Sequence, residues 1–164
     1  MSTILSDLEK IISDKTDYYS IRRCTEDDVD AIVKLSKANS WNYSYGFLLS
    51  TVSANDDDII YFGAFSADNN CLGYISIDFR PGKEGLIRSI IVDTSLRKAG
   101  IGSELINTAE KCIKDLGVRQ AILHVRESNT NAQNFYLNRG YIECERLPKY
   151  YMNGETALTM IKAL

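Results

Sequence analysis

Apolar residues recur at helical spacing in Ile4-Leu5, Leu8 and Ile11-Ile12, which predicts a short amphipathic helix over the first seventeen residues. Residues Tyr18 to Arg23 have the pattern of a strand. Thr25 then offers an N-cap, with Asp28 three residues on in a box-like arrangement. Val29, Ile32, Val33 and Ser36 line one face of a helix to about Asn39, and a second short helix is predicted from Tyr45 to Ala54. Three strand-like runs follow: Ile59 to Ser66, Cys71 to Arg80 and Glu84 to Val92. Turn chemistry at Ala67-Asp68-Asn69-Asn70 and Pro81-Gly82-Lys83 joins them into an antiparallel meander. Ile101, Leu105, Ile106, Ala109, Cys112, Ile113 and Leu116 form the buried stripe of a long helix that stops at Gly117. Val118 to Val125 is a strand and Asn129 to Arg139 a helix. Tyr141 to Glu145 and Thr156 to Ile161 form a last strand pair, joined by Leu147 to Glu155.

This order is α/β, with a mixed and mostly antiparallel sheet. Its one strand–turn–helix–strand unit should be a right-handed parallel crossover. The division is a helical extension over 1–17 and a single domain over 18–164. A chain of 164 residues suits one such domain and can bury a core without a staple.

Charge narrows the function. Nineteen basic residues against twenty-two acidic ones leave −3, so bulk binding to nucleic acid is not expected. No apolar stretch is long enough to span a bilayer, and the first ten residues carry acids early, unlike a secretory signal. Four scattered cysteines and a single histidine give no metal-ligand spacing, so no metal is expected and a reducing cytoplasm is.

The run Arg97-Lys98-Ala99-Gly100-Ile101-Gly102-Ser103 stands between a strand and a helix N-terminus. Glycines let a backbone approach a ligand, and first-turn N–H groups lack intrahelical partners, so this is a candidate anion site. For two glycines alone a plain strand-to-helix turn is the favoured reading. The run is not a Walker A motif or a dinucleotide fingerprint.

Arg97-x-x-Gly100-x-Gly102 is similar to the acetyl-coenzyme A pyrophosphate loop of the GNAT acetyltransferases. Asn129-x-x-Ala132-x-x-x-Tyr136, followed by Gly140-Tyr141, resembles the second cofactor helix and following strand of the same superfamily. A narrower resemblance lies in Leu123-His124-Val125-Arg126-x-Ser128-Asn129 and Lys149-Tyr150-Tyr151-x-x-Gly154-Glu155. These segments look like protein N-terminal acetyltransferases: first the catalytic subunit of N-terminal acetyltransferase A and its archaeal relatives, then the ribosomal-protein alanine acetyltransferases.

The resemblance implies the GNAT fold, with helices on both faces of the sheet and a splayed parallel strand pair. It also implies acetyl-coenzyme A as co-substrate and direct attack by an amine in a ternary complex, so no cysteine need be a nucleophile. Coenzyme contacts would come from the backbone of Ile90, Ile91 and Val92, from the loop Arg97 to Ser103, and from Asn129, Ala132 and Tyr136. His124 is the implied base or holder of a base water; a structural strand histidine is the alternative. Tyr136 is the implied general acid; its alternative is core packing. Asn129 could equally cap its helix.

Trp41, Asn42, Tyr43, Tyr150 and Tyr151 would flank the acceptor, or the tyrosine pair would merely pack the final hairpin. Leu86 stands where relatives often carry a histidine or tyrosine, and the Trp41 loop lacks the acid some relatives have; both shift the base role to His124. The implied acceptor is a protein or peptide N-terminus, with lysine or a small amine as the enzymatic alternative and a non-catalytic acyl-coenzyme A module as the third reading. An auxiliary subunit or a second copy would be the macromolecular partner.

Overall fold

The computed structural model describes residues 18–41, 43–53, 58–83 and 85–164. The helix expected over Ile4 to Ile12, and with it the 1–17 extension, lies outside these residues, as do Asn42 and Glu84. The elements run β1 (Tyr19–Arg23), α1 (Val29–Ala38), α2 (Tyr45–Val52), β2 (Ile59–Ser66), β3 (Cys71–Asp78) and β4 (Leu86–Val92). They continue with α3 (Ile101–Asp115), β5 (Gln120–Arg126), α4 (Thr130–Leu137), β6 (Ile142–Leu147) and β7 (Ala157–Ala163). The strands form one seven-stranded sheet in the order β1-β2-β3-β4-β5-β7-β6, antiparallel except for β4 and β5.

The helices divide between the two faces. α3 packs on β2 to β5 through Ile101, Leu105, Ile106, Ala109, Cys112 and Ile113, and α4 adds Tyr136 to the same core. α1 and α2 cover the other face, where Val29, Ile32, Val33, Leu35 and Leu48 meet Tyr61, Phe65, Tyr74 and Ile91. These are the faces that helical spacing requires, because residues three and four apart share a side.

Element ends differ from the sequence pattern at definable points. β3 stops at Asp78 rather than Arg80, because the Asp78 carboxylate accepts the Arg80 N–H at 3.0 Å and turns the chain. β4 begins after Gly85, whose φ of +77° breaks an extended run. α4 starts at Thr130 because the Asn129 side chain accepts the Ala132 N–H at 3.2 Å and is its cap. Two single 3₁₀ turns were not anticipated. One covers Glu26–Asp28, where the Thr25–Asp28 capping box forms. The other covers Thr94–Leu96, where the Asp93 carboxylate accepts the Ser95 N–H at 2.9 Å.

The feature that makes the site is the β4–β5 pair. Its ladder holds only Leu86 to Ile122 and Ile87 to Leu123. β4 continues to Val92 paired with β3 alone, and β5 continues to Arg126 paired with β7 alone. The two strands therefore part beyond Ile87, and the parallel pair opens into a cleft.

Candidate active site

One wall of the cleft is backbone. Beyond Ile87, β4 leaves the edge of Ser89 to Val92 unpaired by β5. Ile90 and Val92 pack toward the α3 core while Ile91 is buried in the α1–α2 core. Their side chains are thus committed to the interior, and only their main chain borders the opening. The glycine turn follows. Lys98 and Gly100 both take positive φ, +67° and +94°, and Gly100 caps α3 in the left-handed region.

The first α-helical bond of α3 runs from Glu104 N–H to Gly100 O at 3.1 Å. The N–H groups of Gly100, Ile101, Gly102 and Ser103 have no backbone acceptor, and they project at the positive end of the helix dipole. Four such donors at a helix N-terminus suit an anion such as a pyrophosphate. Arg97 and Lys98 add charge; the Arg97 Nη2 donates to Asn39 Oδ1 at 3.2 Å, and Ala99 N–H bonds Leu96 O. The Ser103 hydroxyl accepts a bond from Arg139.

The two glycines act differently. A Cβ on Gly100 would meet open space, so its glycine answers the φ of +94°. A Cβ on Gly102 would lie 3.6 Å from Phe135 and 3.7 Å from Val92. A Cβ on Gly102 would thus make ordinary contacts with its protein neighbours, and its φ is not in the left-handed region, so neither protein packing nor backbone conformation requires this glycine.

The other wall is made of side chains. His124 shares a face of β5 with Ile122 and Arg126, opposite the buried Leu123 and Val125. Its Nδ1 is 3.1 Å from the Thr159 hydroxyl on β7. Burial and then the positive charge of Lys83 push its pKa below the ordinary histidine value, with Glu145 opposing. His124 is therefore mostly neutral at neutral pH and able to accept a proton.

The Tyr150 ring lies 5.0 Å from the imidazole, centroid to centroid, and Tyr151 meets Tyr150 edge-on at 5.1 Å. The Arg126 guanidinium covers the Tyr151 ring at 3.9 Å. Tyr136 is buried in the α3–α4 core, edge-on to Phe135 and Tyr141. Burial, and secondarily Tyr151, push its phenol pKa well up, so it stays a proton donor.

Across the cleft, Trp41 stacks on Tyr43 at 5.8 Å and Tyr43 on Phe47 at 5.7 Å. Trp41 and Tyr150 remain exposed by 41% and 48%, open enough to meet a ligand. The structure thus joins His124, Tyr150, Tyr151 and Arg126 in one contiguous group. Trp41 and Tyr43 stand in a separate aromatic ladder, and Asn42 lies outside the described residues.

Sequence reasoning gave no role to the group that fixes the tyrosine loop. The Glu155 carboxylate accepts the Ser128 N–H at 3.0 Å, the Ser128 hydroxyl, and Arg126 Nη1 at 3.0 Å. These bonds hold its pKa down to about 2. Glu155 therefore ties the loop before β7 to the entrance of α4. Its signal was the pair Arg126-x-Ser128 beside Gly154-Glu155. Phe47, Lys83, Arg88 and Thr159 were also missed; none has a local sequence signal, because Arg88 and Thr159 reach the site through strand pairing and Phe47 and Lys83 through tertiary packing.

The profile described as the Acetyltransferase (GNAT) family matches residues 18–141. A protein from Sulfurisphaera tokodaii named N-alpha-acetyltransferase is 31% identical over 159 residues, covering 89% of this chain and 93% of its own. The crystal structure of Ard1 from Thermoplasma volcanium superposes with a TM-score of 0.79 at 22% identity, covering 90% of this chain and 98% of that one. A variant of the spermidine N-acetyltransferase SpeG from Vibrio cholerae superposes with a TM-score of 0.75 at 19% identity, covering 90% and 95%. At those identities the two structures speak for the fold alone. The splayed strand pair, the donor-lined turn at Gly100 and a family match over more than half the chain agree: the protein belongs to the GNAT acetyltransferases and is an acetyl-coenzyme A dependent N-acetyltransferase.

Proposed function

We propose that the acceptor is the α-amino group of a protein N-terminus and that it attacks directly in a ternary complex. The observation that carries this reading is the aromatic enclosure beside His124. Tyr150 lies against the imidazole, Tyr151 is clamped by Arg126, and Glu155 ties their loop down. Rigid tyrosines with free hydroxyls suit an extended peptide backbone at little entropic cost. A residue at the start of a chain brings its amine to the floor of such a groove directly. A lysine amine sits on a long stem with chain continuing both ways. The N-alpha-acetyltransferase name of the Sulfurisphaera tokodaii relative supports the same reading.

When bound, acetyl-coenzyme A supplies an activated acetyl group as a thioester. The N–H groups of Gly100 to Ser103, with Arg97 and Lys98, hold its pyrophosphate. Ile90, Ile91 and Val92 offer backbone groups to the pantetheine arm and to the oxyanion, beside Asn129, Ala132 and Ala99. Such a donor contributes ~2.7–4 kcal/mol in a transition state.

An α-amine has a pKa of ~7.7–8.0, so much of it is charged at neutral pH. His124, kept neutral by burial and Lys83, takes that proton directly or through a water. Tyr136, kept protonated by burial, donates to the sulfur that leaves. We place this chemistry in the cytoplasm, where nascent N-termini and acetyl-coenzyme A meet.

The test compares turnover on a peptide with a free N-terminus, the same peptide blocked but carrying lysines, and spermidine. Fast turnover of the first alone supports the proposal. Equal rates on the blocked peptide, or a preference for spermidine, would move the protein to the lysine or small-amine enzymes.

A further inference from the structure

We infer that Arg88 is a specificity residue that selects acceptors carrying an acidic side chain in their first two residues; this rests on the α-amine reading above. Arg88 is the extra residue of a β-bulge. On β3 the step from Ser76 to Ile77 is a single residue, while their partners on β4 are Ser89 and Ile87. A bulge re-aims a side chain that strict alternation would place elsewhere. Here Arg88 and Ser89 both face the α1–α2 side. Ser89 bonds the Ser76 hydroxyl at 2.6 Å, and Arg88 Nε stands 3.9 Å from Asp78 Oδ2.

The position is the mouth of the cleft. Leu86 pairs with Ile122 at the last levels of the ladder. Two residues farther along each strand come Arg88 and His124, both on the α1–α2 side of the sheet and both beyond the point where the strands part. The Arg88 guanidinium also lies over the Phe47 ring at 5.7 Å, at the end of the Trp41–Tyr43–Phe47 ladder. Its charge opposes the burial that raises the Tyr43 and Tyr61 phenols, so both feel its field. Arg88 therefore stands at the end of the aromatic wall proposed to flank the acceptor chain, on the side of the sheet that also carries His124.

Its charge is not cancelled. The buried Asp78 carboxylate is already held by Arg80, through Nε at 3.0 Å, Nη2 at 2.7 Å and the backbone N–H. Two guanidinium groups thus share one carboxylate, and at 3.9 Å Arg88 makes no hydrogen bond to it. Among the described residues the Arg88 fork has no other carboxylate partner, and its side chain is 25% exposed. Lys83 adds a second positive charge near His124, against the single opposing carboxylate of Glu145. A partly buried guanidinium fork with open donors is a receptor for a carboxylate. The same field disfavours a polyamine, whose second cation would have to approach Arg88 and Lys83.

The experiment measures kcat/KM on free peptides that differ only in their first two residues, acidic, neutral or lysine. A further peptide carries its acid at the fourth residue. The wild type should favour an acid in the first two positions by about 10- to 100-fold over a neutral residue, the range of a charge-assisted hydrogen bond. Arg88→Ala should bring that ratio near one, Arg88→Lys should keep part of it, and Arg88→Glu should turn the preference toward lysine. A wild-type ratio near one, an equal gain from an acid at the fourth residue, or a ratio that survives Arg88→Ala would overturn the inference. A wild-type ratio near one overturns the inference even if a variant does not fold, and a ratio lowered by the conservative Arg88→Lys assigns the preference to Arg88 rather than to Lys83. Uniform turnover of all free N-termini would sink this inference alone, whereas rapid turnover of blocked lysine peptides would sink the α-amine reading beneath it.

Discussion

The two walls of the cleft are built by different means. The β4 and α3 wall presents main chain: the unpaired edge beyond Ile87 and four N–H groups at Gly100 to Ser103. The β5–β7 wall presents side chains: His124 on Thr159, Tyr150 on His124, and Tyr151 under Arg126. Backbone donors are indifferent to the side chains that carry them, provided the chain can take the required φ. Side-chain contacts change with every substitution. The coenzyme wall should therefore be sensitive to conformation and the acceptor wall to chemistry.

The largest expected effects fall on the two proposed proton carriers. His124→Ala should lower kcat/KM about 100-fold and remove an acid limb whose midpoint lies below the usual histidine value near 6.5. The sign follows from the lowered pKa: the base is protonated and inactive only below that midpoint. The limb from the acceptor's own α-amine, nearer 8, should persist. Tyr136→Phe should lower kcat by a similar factor with the coenzyme Kd unchanged, because the ring stays in its core position. A wild-type rate and pH profile in His124→Ala would make that residue structural.

Conformation comes next. Gly100→Val forces a β-branched residue to φ +94°, a left-handed state that costs about 1–2 kcal/mol for L-residues. Calorimetry should show acetyl-coenzyme A binding weakened roughly tenfold or more, while the peptide KM, measured at saturating coenzyme, stays close to wild type. Gly102→Ala, whose Cβ would make ordinary contacts with Phe135 and Val92, should weaken coenzyme binding far less. Equal losses in the two variants would break the distinction drawn between them.

Chemistry on the acceptor wall gives the smallest and most selective effects. Tyr151→Ala should raise the peptide KM about tenfold, on the scale of a stacked and hydrogen-bonding tyrosine. Glu155→Ala should raise it only severalfold by freeing the loop. Neither should move the coenzyme Kd. Glu155 stays charged until its pKa of about 2, so it contributes nothing to the acid limb assigned to His124.

Much of this was legible in the chain. The meander and the crossover follow from period-two and period-3.6 patterning, which each segment carries within itself, whereas the division of the helices between two faces was implied by the family resemblance. The glycine turn was legible as a motif, although the left-handed φ that requires a glycine falls at Gly100 and not at Gly102. The bulge at Arg88 was not. It is defined by how Ser76 and Ile77 pair across to β4, and strict alternation along β4 alone would put Ser89 on the face of Ile87. The grip of Glu155 on Ser128 and Arg126 was likewise hidden, since its partners stand 27 and 29 residues away in the sequence.

The most direct measurement offers both amines on one molecule: a peptide with a free N-terminus and an internal lysine, acetylated by this enzyme and read by tandem mass spectrometry. The aromatic enclosure beside His124 predicts that the acetyl group is found on the α-nitrogen, with the lysine left free. Acetyl groups on the lysine Nζ, at rates equal to or above the α-nitrogen, would contradict it.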